Sequence, residues 1–212
     1  MIVEWPQLSD EQIEARATAF REQALKALDL EQSCPVPIEQ IAELYLGYEF
    51  DFVEDSGRLE SEVIGGIDFD SQTIIINTAI ESHIGRYSFT IAHEIGHHVL
   101  HRDLFLAARS EVAIMCRGGG KRPIEEVQAD RFAEALLMPR SIIISSCKKE
   151  SGLRGYSRRG RLALAAKAIQ SSGVNNVSVS AMEMRLTHLG LLPSFDSKAS
   201  MMFKNIRKLF SS

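Results

Sequence analysis

The stretch that most restricts what this chain can fold into is Thr90-Ile-Ala-His93-Glu94-Ile-Gly-His97-His98-Val-Leu-His101. It contains His-Glu-x-x-His, with His93 and His97 four residues apart and Glu94 beside the first. On an α-helix, side chains at i and i+4 share a face, about 5–6 Å apart at Cβ. Two imidazoles so placed bind one Zn²⁺ at about 2.0–2.1 Å without distorting the backbone. Glu94 falls on the adjoining face, within reach of a water activated by the metal but poorly placed as a third ligand. Two nitrogen ligands, a water and a general base are what metal-assisted hydrolysis requires. Phe89, Ile91, Ile95, Val99 and Leu100 supply the apolar surface that would bury such a helix. The competing reading is a polar, partly exposed helix whose histidines merely hydrogen-bond. Against it, His83, His93, His97, His98 and His101 are five of the six histidines in the chain, and a candidate third ligand lies downstream.

A chain of 212 residues holds one good-sized core, or one domain with a small appendage. With 45% apolar and 25% charged residues it falls among ordinary soluble globular proteins. The formal net charge of −4 argues against a surface that coats nucleic acid throughout, though it allows local patches. Cys34, Cys116 and Cys147 are far apart and in no paired metal-ligand spacing, so reduced thiols are expected. Residues 1–10 show neither a basic nor an apolar leader region, and the apolar runs fall well short of the ~20 residues a membrane helix needs. The expectation is a cytoplasmic protein with no membrane segment.

Ser9-Asp10-Glu11-Gln12 has the form of a capping box, and Ile13, Ala17, Phe20, Ala24, Leu25 and Leu28 follow at helical spacing. This predicts an amphipathic helix over 10–29. Cys34-Pro-Val-Pro37 interrupts it, and a short helix from Ile38 to Leu46 stops at Gly47. Alternation at Tyr48, Phe50 and Phe52, then Val63 to Phe69 and Gln72 to Asn77, reads as strands. Asp70-Ser71 suits a hairpin turn between the last two, so a small, mostly antiparallel sheet is expected. An edge strand beside the site could pair with a peptide. Leu104 to Cys116 reads as a short helix or lid, and Gly118-Gly-Gly-Lys-Arg122 as a basic loop whose spacing does not fit a phosphate-binding loop.

Pro123 suits a helix start, and Ile124, Val127, Phe132, Ala135, Leu136 and Leu137 form the apolar face. Glu126 lies 29 residues after His97, far enough to arrive on a separate helix and complete a His-His-Glu site. Asp130, one turn on, could accept from the outer nitrogen of a liganding histidine. Glu125, Glu126 and Asp130 could instead be a solvated acidic face; the histidine motif tips the balance toward ligation. Glu125 points about 100° from Glu126. His101 shares a rough face with His97, but a third ligand two turns along one helix sits too far from the ion. His98 and His83 read as outer groups.

Phe89-Thr-Ile-Ala-His-Glu-Ile-Gly-His97, then Glu126-Val-Gln-Ala-Asp-Arg-Phe-Ala133 and Ala135-Leu-Leu-Met-Pro139, resemble the ImmA/IrrE metallopeptidases. Gly65-Gly66, Ile74 to Asn77 and Arg86 resemble that family's approach to its active-site helix. The resemblance spans about residues 10–190. It implies an α+β, zincin-like (gluzincin-type) core in which His93, His97 and Glu126 bind zinc and Glu94 is the catalytic base. It places Asp130 where the family carries Asp or Asn, and His98 where an aliphatic residue is common. It further implies a protein substrate, an Xre-like helix-turn-helix repressor, whose cleavage relieves repression in a stress response, a mobile element or a toxin–antitoxin module. The oxyanion donor stays open among Tyr87, Arg86 and His101.

Leu162 to Ile169, a turn at Ser171-Ser-Gly173, and Val179 to Leu189 give helix-turn-helix-like spacing. Residues 148–167 carry seven Lys/Arg and a single acidic residue, Glu150. That patch could make a weak DNA contact, dock an acidic partner, or be solvated. The expected organisation is therefore a metallopeptidase domain over 1–147, a helix-turn-helix-like region over 148–192 and a basic tail over 193–212. A different class of function is a non-proteolytic DNA- or repressor-binding regulator with a structural or vestigial zinc site. A structural site normally closes with a fourth protein ligand, and none is evident here.

Overall fold

A computed structural model of the chain describes residues 5–30, 34–54, 64–107, 114–116, 123–148 and 157–193. It divides into two compact units, Met1–Leu137 and Met138–Ser212. Within the second unit, helix α5 (Arg140–Lys148) packs on α6 (Arg158–Ser172).

The first unit begins with α1 (Asp10–Ala27), whose capping box forms as its sequence implies. Ser9 Oγ accepts from the Gln12 amide at 3.3 Å, and Gln12 Oε1 accepts from the Ser9 amide at 2.8 Å. A short α2 (Ile38–Gln40) continues as a π-helical turn, Ile41–Tyr45, and ends at Gly47 with φ +75°. Then come β1 (Glu49–Val53), β2 (Gly65–Asp68) and β3 (Thr73–Asn77). Asp68 Oδ1 accepts from the amides of Asp70 and Ser71 and so folds the expected β2–β3 turn.

The long helix α3 (Ile84–Ala107) follows, then a short β4 (Ile114–Cys116) and α4 (Ile124–Leu137). The sheet order is β1-β3-β2-β4. Two of its three pairings are antiparallel, and β1 pairs with β3 in parallel, Phe50 opposite Ile74. Ile74, Ile75 and Ile76 are all buried although they alternate sides, so the central strand is covered on both faces. The fold is α+β. Leu104 to Cys116 differs from the expected short helix or lid: α3 runs on to Ala107, held by Phe105 edge-on to Phe69 at 5.2 Å, and 114–116 is a strand. The glycine-rich loop at 118–122 lies outside the described residues.

Helix α4 packs against both α1 and α3. Every residue from Ala129 to Leu137 except Arg131 is buried, Asp130 and Glu134 among them, so this part of α4 is enclosed on nearly every side. Phe132 meets Phe20 of α1 at 5.9 Å, and Phe20 meets Tyr45 at 5.8 Å. This sandwich fixes α4 along the flank of α3.

In the second unit, Ser157 and Ser178 cap α6 and α7 (Val179–His188), and Gly173 ends α6 in the left-handed region. Arg161, from the basic run, is buried. Its guanidinium donates to Glu183, to Thr187 Oγ1 and to the Pro193 carbonyl, pinning α6 to α7. It is therefore a packing residue and no part of an exposed patch. Lys148, Arg158 and Arg159 are exposed; Lys149, Arg154 and residues 194–212 lie outside the described set. Among the described residues no helix is long and apolar enough to cross a membrane.

Candidate metal centre

Gly96 determines how closely the two site helices approach. A Cβ there would lie 3.1 Å from both Cα and the carbonyl oxygen of Ala129 and 3.3 Å from Phe132 Cβ. Glycine at this point lets the α4 backbone lie directly on α3. One turn earlier on α4, Glu126 then reaches the histidines on the same face. His93 Nε2 and His97 Nε2 are 3.0 Å apart, and the Glu126 carboxylate oxygens stand 3.2 and 3.3 Å from them.

These are the edges of a small coordination polyhedron. A tetrahedral zinc with ligands at 2.0–2.1 Å separates its donor atoms by about 3.3–3.4 Å. Two imidazole nitrogens and a carboxylate, gathered where both rings are fully buried, fit such an ion in spacing and in chemistry.

Burial and mutual contact shift all three groups. Burial disfavours a charged His93, but hydrogen bonds to Asp130 and Glu126 outweigh it and hold the pKa up at about 9. Burial pushes His97 down to about 4 despite its bond to Glu126. Burial would raise Glu126, yet its two histidine partners hold it well below the ordinary carboxylate range.

The outer ring nitrogens are also engaged. His93 Nδ1 lies 3.0 Å from Asp130 Oδ1, the arrangement that leaves Nε2 free to ligate. His97 Nδ1 lies 3.1 Å from His101 Nδ1, and His101 Nε2 lies 3.0 Å from Gln128 Oε1. His101 is therefore behind His97, on its Nδ1 side and away from the Nε2 that faces Glu126, and both its nitrogens are occupied. That removes it from the candidates for oxyanion donor. Tyr87 donates to Glu39 at 2.7 Å and Arg86 is exposed, so neither is seen directed at the site.

Glu94 is fully buried on α3. Opposite it stands Gly65 of β2, where a Cβ would lie 2.3 Å from Thr90 Cγ2 and 3.3 Å from Glu94 Oε1. The missing side chain makes room for the carboxylate. His98 Nδ1 lies 2.9 Å from the Tyr48 hydroxyl, and burial lowers the His98 pKa to about 4. His83 is exposed, and Glu125 is outside the converging group. Cys34 and Cys147 are free thiols. Sequence reasoning missed Gly65, Gly96 and Gln128 as shaping residues. The glycines were visible, but only the approach of a second element gives them meaning.

No curated protein gives a significant match to the chain. Residues 50–152, just under half of it, match the family model described as IrrE N-terminal-like domain, a peptidase family. The matched stretch begins in β1, contains all of α3 and α4, and includes His93, Glu94, His97, Glu126 and Asp130. Residues 50–152 are thus similar to a peptidase family's IrrE N-terminal-like domain, and the His-His-Glu cluster lies within the matched stretch.

Proposed function

We propose that the protein is a zinc-dependent endopeptidase that works in the cytoplasm and cleaves an Xre-like helix-turn-helix repressor, relieving repression. The observation that carries the reading is the convergence of His93, His97 and Glu126, with the buried Glu94 carboxylate one residue along α3. His93, His97 and Glu126 would hold the ion, and Asp130 would fix the His93 tautomer. A bound zinc would supply a Lewis acid and a water acidic enough to lose its proton near neutral pH. Glu94 is the group that would accept a proton from the attacking water at its carboxylate as the water oxygen bonds to the scissile carbonyl carbon. It would then return that proton to the departing amine as the C–N bond breaks.

The substrate class is supported by the resemblance of Phe89 to His97 and of Glu126 to Pro139 to peptidases that act on repressors. An extended substrate would have an edge to pair with: among the described residues β4 ends the sheet, and it neighbours β2, which carries Gly65 against Glu94. In the second unit, Lys148, Arg158 and Arg159 would make a weak DNA contact within 148–167, bringing the enzyme near a bound repressor.

The test uses Glu94→Gln beside the wild type, each with metal analysis and incubation with a repressor encoded next to this gene. The reading expects one zinc per chain in both and fragments only with the wild type. Wild-type cleavage by Glu94→Gln would refute the base assignment. Repressor left intact but bound stoichiometrically by the zinc-loaded wild type would replace the enzyme with a non-proteolytic regulator.

A further inference from the structure

We infer that Gln128 is a positioning residue for the metal site and that through it the amino-terminal segment, Trp5-Pro6, forms the outermost part of the support for His97. The inference rests on the zinc reading above and extends it to residues outside the matched domain.

The hydrogen bonds run in one direction. If His97 Nε2 faces the ion, its proton must sit on Nδ1, which is 3.1 Å from His101 Nδ1. His101 Nδ1 must then accept, so its own proton is on Nε2, 3.0 Å from Gln128 Oε1. Gln128 completes the sequence by donating from Nε2 to the Pro6 carbonyl at 2.6 Å. Each neutral imidazole has one donor and one acceptor, and the Gln128 amide supplies an acceptor to one side and a donor to the other, in the order that leaves a lone pair on His97 for the metal. The indole of Trp5 packs edge-on against His101, with ring centroids 5.1 Å apart.

Burial makes the arrangement costly to disturb. His101 is 1% exposed and Gln128 1%, so neither can exchange a lost partner for water. Gln128 is two residues beyond Glu126, so the helix that delivers the third ligand also delivers the support for the second. Pro6 and Trp5 precede α1 and lie well before residue 50, where the family match begins. The matched domain alone lacks this last support.

The single tryptophan of the chain lies in the segment itself and reports its seating. The experiment measures zinc affinity by chelator competition and Trp5 accessibility by acrylamide quenching, in the full chain. The variants are Gln128→Leu, Gln128→Glu and His101→Phe. Loss of an outer-shell partner weakens metal binding about 10–100-fold. Gln128→Leu and His101→Phe should fall in that range. Gln128→Glu keeps the acceptor for His101 and should hold zinc within about threefold of wild type, yet when ionised, a state that measurement at alkaline pH favours, it cannot donate to Pro6, so Trp5 should become more quenchable.

A residue that merely fills space would show no such split, and Gln128→Glu would bind zinc as poorly as Gln128→Leu. That result, or wild-type affinity in both Gln128→Leu and His101→Phe, overturns the inference while leaving the metal site intact. Unchanged Trp5 quenching in Gln128→Glu overturns the attachment of the amino-terminal segment. A wild-type chain that binds no zinc refutes the underlying reading together with this one.

Discussion

Replacing Gly96 by alanine isolates what the contact between α3 and α4 does for the metal. The added methyl would sit 3.1 Å from Cα and the carbonyl oxygen of Ala129 and 3.3 Å from Phe132 Cβ. Backbone atoms of a packed helix cannot rotate aside, so α4 must retreat by a few tenths of an ångström. Overpacking of this kind costs about 1–3 kcal/mol, and alanine returns about 1 kcal/mol of helix propensity over glycine. The metal-free protein should therefore lose little, about 0–2 kcal/mol. Glu126 is the group that suffers, because its carboxylate meets the two imidazoles at 3.2 and 3.3 Å and sits one turn from the displaced Ala129. Sites of this kind tolerate shifts of only about 0.5 Å. We expect zinc affinity to fall at least tenfold. At fixed free zinc this removes about 1.4 kcal/mol of ligand-linked stability, or about 3–6 °C in the zinc-loaded Tm for a domain of this size. Calorimetric melts with and without zinc, and chelator competition, separate the two effects. A Gly96→Ala protein with wild-type zinc affinity would refute the claim that helix contact at this glycine places Glu126.

Further expectations come from the same geometry. Gly65→Ala should retain zinc but lose activity, because the new Cβ would overlap Thr90 Cγ2 at 2.3 Å and crowd Glu94; adding Thr90→Ser removes the overlapping methyl and should restore turnover in a peptide-cleavage assay. Because Asp130 and Glu126 hold His93 protonated up to about pH 9, zinc must displace that proton at neutral pH. Binding should release close to one proton, and affinity should rise about tenfold per pH unit up to about pH 9; titration calorimetry in buffers of different ionisation enthalpy measures it, and Asp130→Asn should reduce the release. Arg161→Leu should destabilise the carboxy-terminal unit by about 3 kcal/mol, since it strips partners from Glu183 and Thr187; denaturant melts would show this, and an unchanged midpoint would contradict the packing role.

What the sequence made legible was whatever local physics encodes. The Ser9 capping box, the turn after Asp68 and the four-residue spacing of His93 and His97 each rest on neighbouring residues, and each forms. The arrival of Glu126 was readable because a His-His pair needs a third ligand and the next helix offered a carboxylate. Features set by distant contacts were not readable. The parallel pairing of β1 with β3 depends on a crossover rather than on either strand's pattern. The last turn of α3 is held by Phe105 against Phe69, a contact that no spacing announces. Arg161 looked like one of several surface cations until its partners on and beyond α7 were known. The bond from Gln128 to Pro6 spans 122 residues, beyond any local pattern.

The most direct test of the account is zinc K-edge absorption of the one-to-one complex, alongside zinc binding by His93→Ala, His97→Ala and Glu126→Ala. Two imidazoles and light oxygen scatterers at about 2.0–2.1 Å, with zinc binding greatly weakened in each variant, is the predicted result. A sulfur shell near 2.3 Å, or a variant that still binds zinc as tightly as the wild type, would contradict it.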